Sequence, residues 1–172
     1  MTELAQGHGL DTPAFDLDAN EVAGTIELLD GDLYLSTRVR RYVLLRLDEI
    51  LSAADGPVFQ HKLITIEHVL PQNPEPESAW CEKFTPAQRA EWTHRLANLV
   101  LLNRTKNPEA ARLAFGKKKE KYFGGPSGVA TFALTVQVLS KGDWTPDLLK
   151  NRQTALLNRL IAEWKLGPLA SA

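Results

Sequence analysis

The sequence predicts an α+β fold, predominantly helical, in which a small ββα core is embedded in surrounding helices. Three observations carry this prediction. Residues Val58 to Val69 alternate as a strand does, with Leu63, Thr65 and Glu67 against Lys62, Ile64 and Ile66. Asn98 to Leu102 is a second short apolar run, and Asn107-Pro108 after it marks a helix start. Apolar stripes at helical spacing flank this core: Val39, Val43, Leu47 and Ile50 before it, and Leu149, Leu156, Leu160 and Trp164 after it.

Taken in order, residues 1–32 read as a partly flexible lead-in, because the first 20 are rich in Gly, Asp and Thr without a sustained period. Residues 33–57 are a helical segment packing on the core, running from Ser36 or Thr37 to about Ala53 and ended by Asp55-Gly56-Pro57. The core itself spans 58–122, with His68 at the exit of its first strand. Pro71, Pro74 and Pro76 make the next segment a loop, since proline donates no backbone hydrogen bond. Thr85-Pro86-Ala87-Gln88 is an N-cap, a first-turn proline and a capping-box glutamine, opening a short helix to about Arg95. Residues 123–172 form the C-terminal helical part of the same domain. Residues 129–140 suit both helix and strand periods and are read as helix; Thr145-Pro146-Asp147 starts the last helix and Gly167-Pro168 stops it.

Composition bounds the chemistry. The 172 residues suit one domain with a buried core, and no apolar stretch approaches the ~18 to 20 residues that span a bilayer. With Glu3, Asp11 and Asp16 but no basic cluster, the N-terminus does not read as a signal peptide, so a cytoplasmic address without membrane association is expected. Cys81 is the single cysteine, which excludes disulfides and paired-cysteine zinc sites; any metal must use oxygen and nitrogen. A net charge of −1 hides a division: residues 1–60 carry eleven acids against four arginines, and residues 61–172 carry ten acids against sixteen bases. Within that second part Arg104, Lys106, Arg112, Lys117, Lys118, Lys119 and Lys121 meet only Glu109 and Glu120, which reads as a solvated face or as phosphate contact.

The run Ile66-Glu67-His68-Val69-Leu70-Pro71-Gln72 puts an acid and an imidazole at a strand exit, and Asn98 and Asn107 follow nine positions apart. These residues, with Leu96 to Leu102, Phe115, Lys118, Tyr122, Trp144, Arg152 and Trp164, resemble the C-terminal HNH (His-Me finger) nuclease domain of GmrSD-type modification-dependent restriction endonucleases, over roughly residues 35 to 165. The core is also similar to the HNH cleavage domain of RNA-guided CRISPR effectors, which share the order acid, His, x, x, Pro, Gln and the asparagine pair.

The resemblance implies a ββα-metal core and a bacterial DNA endonuclease domain serving restriction and anti-phage defence, acting on double-stranded DNA. It implies Mg²⁺ or Mn²⁺ held by Glu67 and Asn107, with His68 as general base, a role that an unperturbed imidazole pKa of ~6.5 suits. Asn98 and Asn107 complete the catalytic set, Asn98 by pinning the loop after His68. Arg104, Lys106, Lys117, Lys118, Lys119 and Arg152 are the implied nucleic-acid contacts. An N-terminal nucleotide-hydrolysing, ParB-like domain is expected in the full-length protein, so the chain looks like an isolated C-terminal half.

Other readings stay open. Asn107 before Pro108 serves as well for a helix N-cap as for a metal ligand. His94 and His61 read as packing or surface residues, His94 with a possible supporting place behind the site, and the four tryptophans read as core. A catalytically inactive DNA-binding module and a helical interaction domain are the alternatives to the nuclease. The nuclease reading requires the side chains of Glu67, His68 and Asn107 to converge.

Overall fold

A computed structural model describes residues 16–52, 63–103, 112–120 and 132–167. Helix α1 (Ala19–Asp30) opens on a capping box in which Asp18 accepts from the first-turn amides and Glu21 accepts from the Asp18 amide. Its Leu29 is buried, and Val22 and Ile26 pack on the same core. This corrects the lead-in expectation for residues 19–30: a capped first turn and one apolar side suffice to dock the segment. A 3₁₀ turn (Leu33–Leu35) leads to helix α2 (Arg40–Ser52), which buries Val43, Leu44 and Leu47.

Strands β1 (Thr65–His68) and β2 (Leu99–Leu102) pair antiparallel, with Thr65 opposite Leu102, Ile66 opposite Leu101, Glu67 opposite Val100 and His68 opposite Leu99. The expected longer first strand lies partly outside the described residues, as do the helix start at Asn107-Pro108 and the stop at Pro168. Between the strands come α3 (Ala79–Lys83) and α4 (Pro86–Trp92), the latter with the Thr85/Gln88 capping box formed in both directions. Asn98 closes a 3₁₀ turn (Leu96–Asn98) rather than opening β2. Three helices follow: α5 (Phe115–Lys118), α6 (Ala133–Leu139) and α7 (Pro146–Glu163). Thr145 caps α7, and Gly167 beyond its end takes a left-handed φ of 82°.

The ladder divides two apolar clusters. Leu99 and Leu101 join α1, α2, α6 and α7 through Leu29, Leu44, Leu134 and Leu160. Val100 and Leu102 join Trp80, Phe84, Phe115 and Trp144 on the other side. The pleat alternates side chains between faces, which is why one four-residue strand serves both cores. Trp80, Trp92 and Trp144 are buried core residues, whereas Trp164 is half-buried and stacks on Tyr42 at 6.2 Å between centroids. No helix among the described residues is long and apolar enough to cross a membrane.

One polar contact joins two of these helices. Asp48 of α2 is buried, and its Oδ1 accepts from the Leu134 amide in the first turn of α6, 2.8 Å away. A carboxylate there satisfies a first-turn donor and complements the helix dipole. Asp48→Ala is expected to lower the unfolding free energy by about 1 to 2 kcal/mol in urea titrations, with Asp48→Asn losing less because an acceptor oxygen remains. Equal losses in the two variants would show that the amide contact is not what Asp48 contributes.

Candidate active site

The exit of β1 is built around a fully buried carboxamide. Asn98 Oδ1 accepts from the Leu70 amide at 2.7 Å and from Trp144 Nε1 at 3.2 Å, while its Nδ2 donates to Leu70 O at 2.9 Å and to Thr93 O at 3.0 Å. Both carbonyl lone pairs and both amide protons are therefore used. Asn98 holds the segment after His68 through both backbone groups of one residue, Leu70, and its carboxamide is fully used inside the protein. The Val69 amide also donates to Asn98 O at 2.9 Å, extending the ladder by one bond.

Lys118 closes the same exit from the opposite direction. It is fully buried, its Nζ donates to His68 O and to Val69 O, and it stands 3.6 Å from Glu67 Oε1. Burial pushes its ammonium down to about 8, with the Glu67 carboxylate opposing that shift. This corrects the phosphate-contact expectation for Lys118: Phe115 and Lys118 are three apart on a helix and turn inward together.

Glu67 and His68 are each 4% exposed, and the third member of the expected set, Asn107, lies outside the described residues. Adjacent strand residues leave opposite faces. Glu67 pairs across from Val100 and lies toward Lys118, while His68 pairs across from Leu99 and lies toward Tyr34 and His94. The His68 ring meets the Tyr34 ring edge-on with centroids 4.2 Å apart, and the His94 ring at 5.5 Å. Tyr34 and His94 in turn stack at 5.6 Å. The Gln72 amide nitrogen lies 3.1 Å from His68 Nδ1 and 3.3 Å from Nε2, so the carboxamide straddles the imidazole. A donor in that place suits an unprotonated ring nitrogen.

Tyr34 is the functional neighbour that sequence reasoning missed. It reaches His68 from the 3₁₀ turn before α2, fixed by Arg40, whose Nη1 donates to Tyr34 O at 2.6 Å and whose guanidinium lies 4.4 Å over the ring. His94, expected at most as a supporting residue, stands beside both rings with its Nδ1 buried and lacking a hydrogen-bond partner.

The remaining expected residues separate. Lys117 is exposed, whereas Lys119 is half-buried, with its Nζ donating to Lys141 O and lying 5.4 Å over the Phe115 ring. Arg152 is buried and hydrogen-bonded to Ala97 O, Leu134 O and Gln137 Oε1. Asn107, Arg104 and Lys106 lie outside the described residues, as does His61. Among the described residues no group of three or more His, Cys, Asp or Glu side chains could hold a metal ion. The candidate donors are one carboxylate, Glu67, and the carboxamide of Asn107, an all-oxygen set of the kind a hard divalent cation takes.

Removing Lys118 leaves two carbonyls without their donor and a buried carboxylate without its ammonium. Lys118→Met is expected to lower the unfolding free energy by roughly 3 to 5 kcal/mol, with Glu67→Gln in the same chain recovering part of the loss. A loss below about 1 kcal/mol in urea unfolding would remove Lys118 as the clamp of the strand exit.

A family model described as GmrSD restriction endonucleases, C-terminal domain, matches residues 25–159. No curated protein and no solved structure matches the chain.

Proposed function

Because the chain belongs to the family of GmrSD restriction endonuclease C-terminal domains, and is thus a restriction endonuclease domain, we propose that it hydrolyses DNA phosphodiesters from the exit of β1, with His68 as general base. The observation that supports this most directly is the clamped strand end: Asn98 and Lys118 hold the backbone at residues 68–70, so the imidazole is presented on a fixed carrier. Fixed placement is what general-base catalysis needs, since the base must stay within hydrogen-bond reach of its water.

In this reading His68 takes a proton from water as its oxygen attacks phosphorus. Tyr34 and His94 limit how the ring can turn, and the Gln72 carboxamide lies against it. Glu67 and Asn107 would hold Mg²⁺ or Mn²⁺ through oxygen. When bound, such a cation polarises the phosphate and stabilises the departing 3′-oxygen. Glu67 would offer its carboxylate from the face opposite His68, at the point where the ladder ends. Asn98 is a positioning residue here, and Lys118 another. The chain would act as the cutting half of a defence protein, beside an N-terminal nucleotide-hydrolysing domain that selects the DNA.

The expected outcome is chelator-sensitive nicking of plasmid DNA by the wild-type chain, with His68→Ala losing at least about a hundredfold in rate while its duplex affinity is retained. Undiminished cutting by His68→Ala would overturn the base assignment. For Asn107→Ala, weakened cation dependence of cutting at an unchanged melting temperature supports a ligand. A lowered melting temperature at unchanged cation dependence supports a helix cap instead.

A further inference from the structure

Helix α7 has two unlike sides. Asn151, Arg152 and Arg159, with Gln137 and Lys141 from α6 and its exit and Leu51 from α2, border a cavity of about 650 Å³. On the other side, Asp147 and Lys150 join Asp30, Glu91 and Arg95 around a second cavity of about 440 Å³. The second mixes three acids with two bases. The first brings together Lys141, Arg152 and Arg159 and has no acid among the described residues that line it.

Arg152 makes this charge more than a surface feature. It is 7% exposed, and its guanidinium donates to Ala97 O at 3.1 Å, Leu134 O at 3.2 Å and Gln137 Oε1 at 2.6 Å, all neutral acceptors. Burial alone pushes it down to about 10. Buried charges are ordinarily matched by an opposite charge, and a guanidinium has five N–H donors, so two remain beyond those three bonds. Asp48 of α2 is engaged with the Leu134 amide. Lys141 and Arg159 are exposed and form no ion pair with the described residues.

We propose that this cavity is a second anion site, which takes successive phosphodiesters of the DNA backbone along Arg152, Lys141 and Arg159. A planar guanidinium presents paired donors to the oxygens of one phosphate, and the two exposed cations meet its neighbours along the strand. A polymer is favoured over a single free anion because the basic surface continues: Lys119 donates to Lys141 O, and Lys117 lies exposed on the same short helix whose Lys118 holds His68 O. The site thus deepens the nuclease reading and rests on it for the identity of the polymer.

The test uses the full chain carrying His68→Ala, so that a labelled duplex is bound without being cut. Against that parent, Lys141→Ala with Arg159→Ala is expected to weaken affinity about tenfold and to reduce the slope of log affinity against log salt by about 2, one for each lost phosphate contact. Arg152 is left in place because its three internal bonds also serve the fold. Lys150→Ala, from the mixed cavity on the other side, is expected to change neither quantity. Affinity and slope equal to the parent's in the double variant would overturn the site. So would a melting rise with millimolar inorganic phosphate that the double variant abolishes while duplex affinity stays unchanged, since that marks a site for free phosphate. Plasmid nicking by the chain with native His68 separates the two claims. Nicking with no cavity dependence of binding removes only the cavity, and cavity-dependent binding without nicking removes only the nuclease.

Discussion

Four hydrogen bonds to one buried carboxamide hold the functional end of this protein together. A two-stranded ladder of four residue pairs has little stability of its own. Asn98 fastens it to three other parts of the chain: Leu70 in the loop after β1, Thr93 at the end of α4, and Trp144 just before α7. Each of those groups lies in the interior, where an unmade hydrogen bond costs about 1 to 3 kcal/mol. Any movement of the loop after His68 therefore breaks several bonds together, and the strand end behaves as a rigid mount.

The same short ladder imposes a separation. Neighbouring residues on a strand face apart, so the acid and the imidazole that stand side by side in the sequence belong to different cores: Glu67 to the tryptophan-rich side, His68 to the side of Tyr34 and His94. Lys118 bridges the division because it contacts the Glu67 side chain and the His68 backbone at once. Its ammonium lies 3.6 Å from the buried Glu67 carboxylate, and its bonds to the backbone keep residue 68 in place. In the proposed reaction the two residues work from opposite sides of one peptide, and the lysine sets their spacing.

What the sequence made legible was local. The Thr85/Gln88 capping box and the Thr145-Pro146 helix start are satisfied within one turn, so residue type and spacing specify them. The two strands were readable because one run alternates and the other is short and apolar, with a proline-rich loop between them. The Asp18/Glu21 box was equally available, but α1 buries only Leu29 outright and its stripe was too faint to outweigh a glycine- and aspartate-rich beginning. Tyr34 was invisible because its approach to His68 depends on how α2 packs and on nothing adjacent in the chain. Lys118, which the resemblance implies as a phosphate contact, stands three residues from Phe115, a spacing that marks an inward-facing position. The place of Asn107 beside residues 67 and 68, which the resemblance implies, falls outside the described residues.

Helix α7 joins the two sites by a short mechanical path. Arg152 and Gln153 are consecutive, and both are buried against the turn that precedes β2. Arg152 Nε donates to Ala97 O at 3.1 Å, and Gln153 Oε1 accepts from the Ala97 amide at 2.8 Å. Gln153 Nε2 also donates to Asp30 Oδ1 at 3.0 Å, at the end of α1. One residue of the turn is thus held through both its backbone groups, and the next residue is Asn98. The guanidinium proposed to meet a DNA phosphate and the carboxamide that mounts His68 are consequently separated by a single peptide unit. Interiors packed at crystal-like density transmit displacement along such paths with little slack. A strand docked on the basic side of α7 would therefore sit in a fixed register relative to the base, set by the turn at residues 96–98.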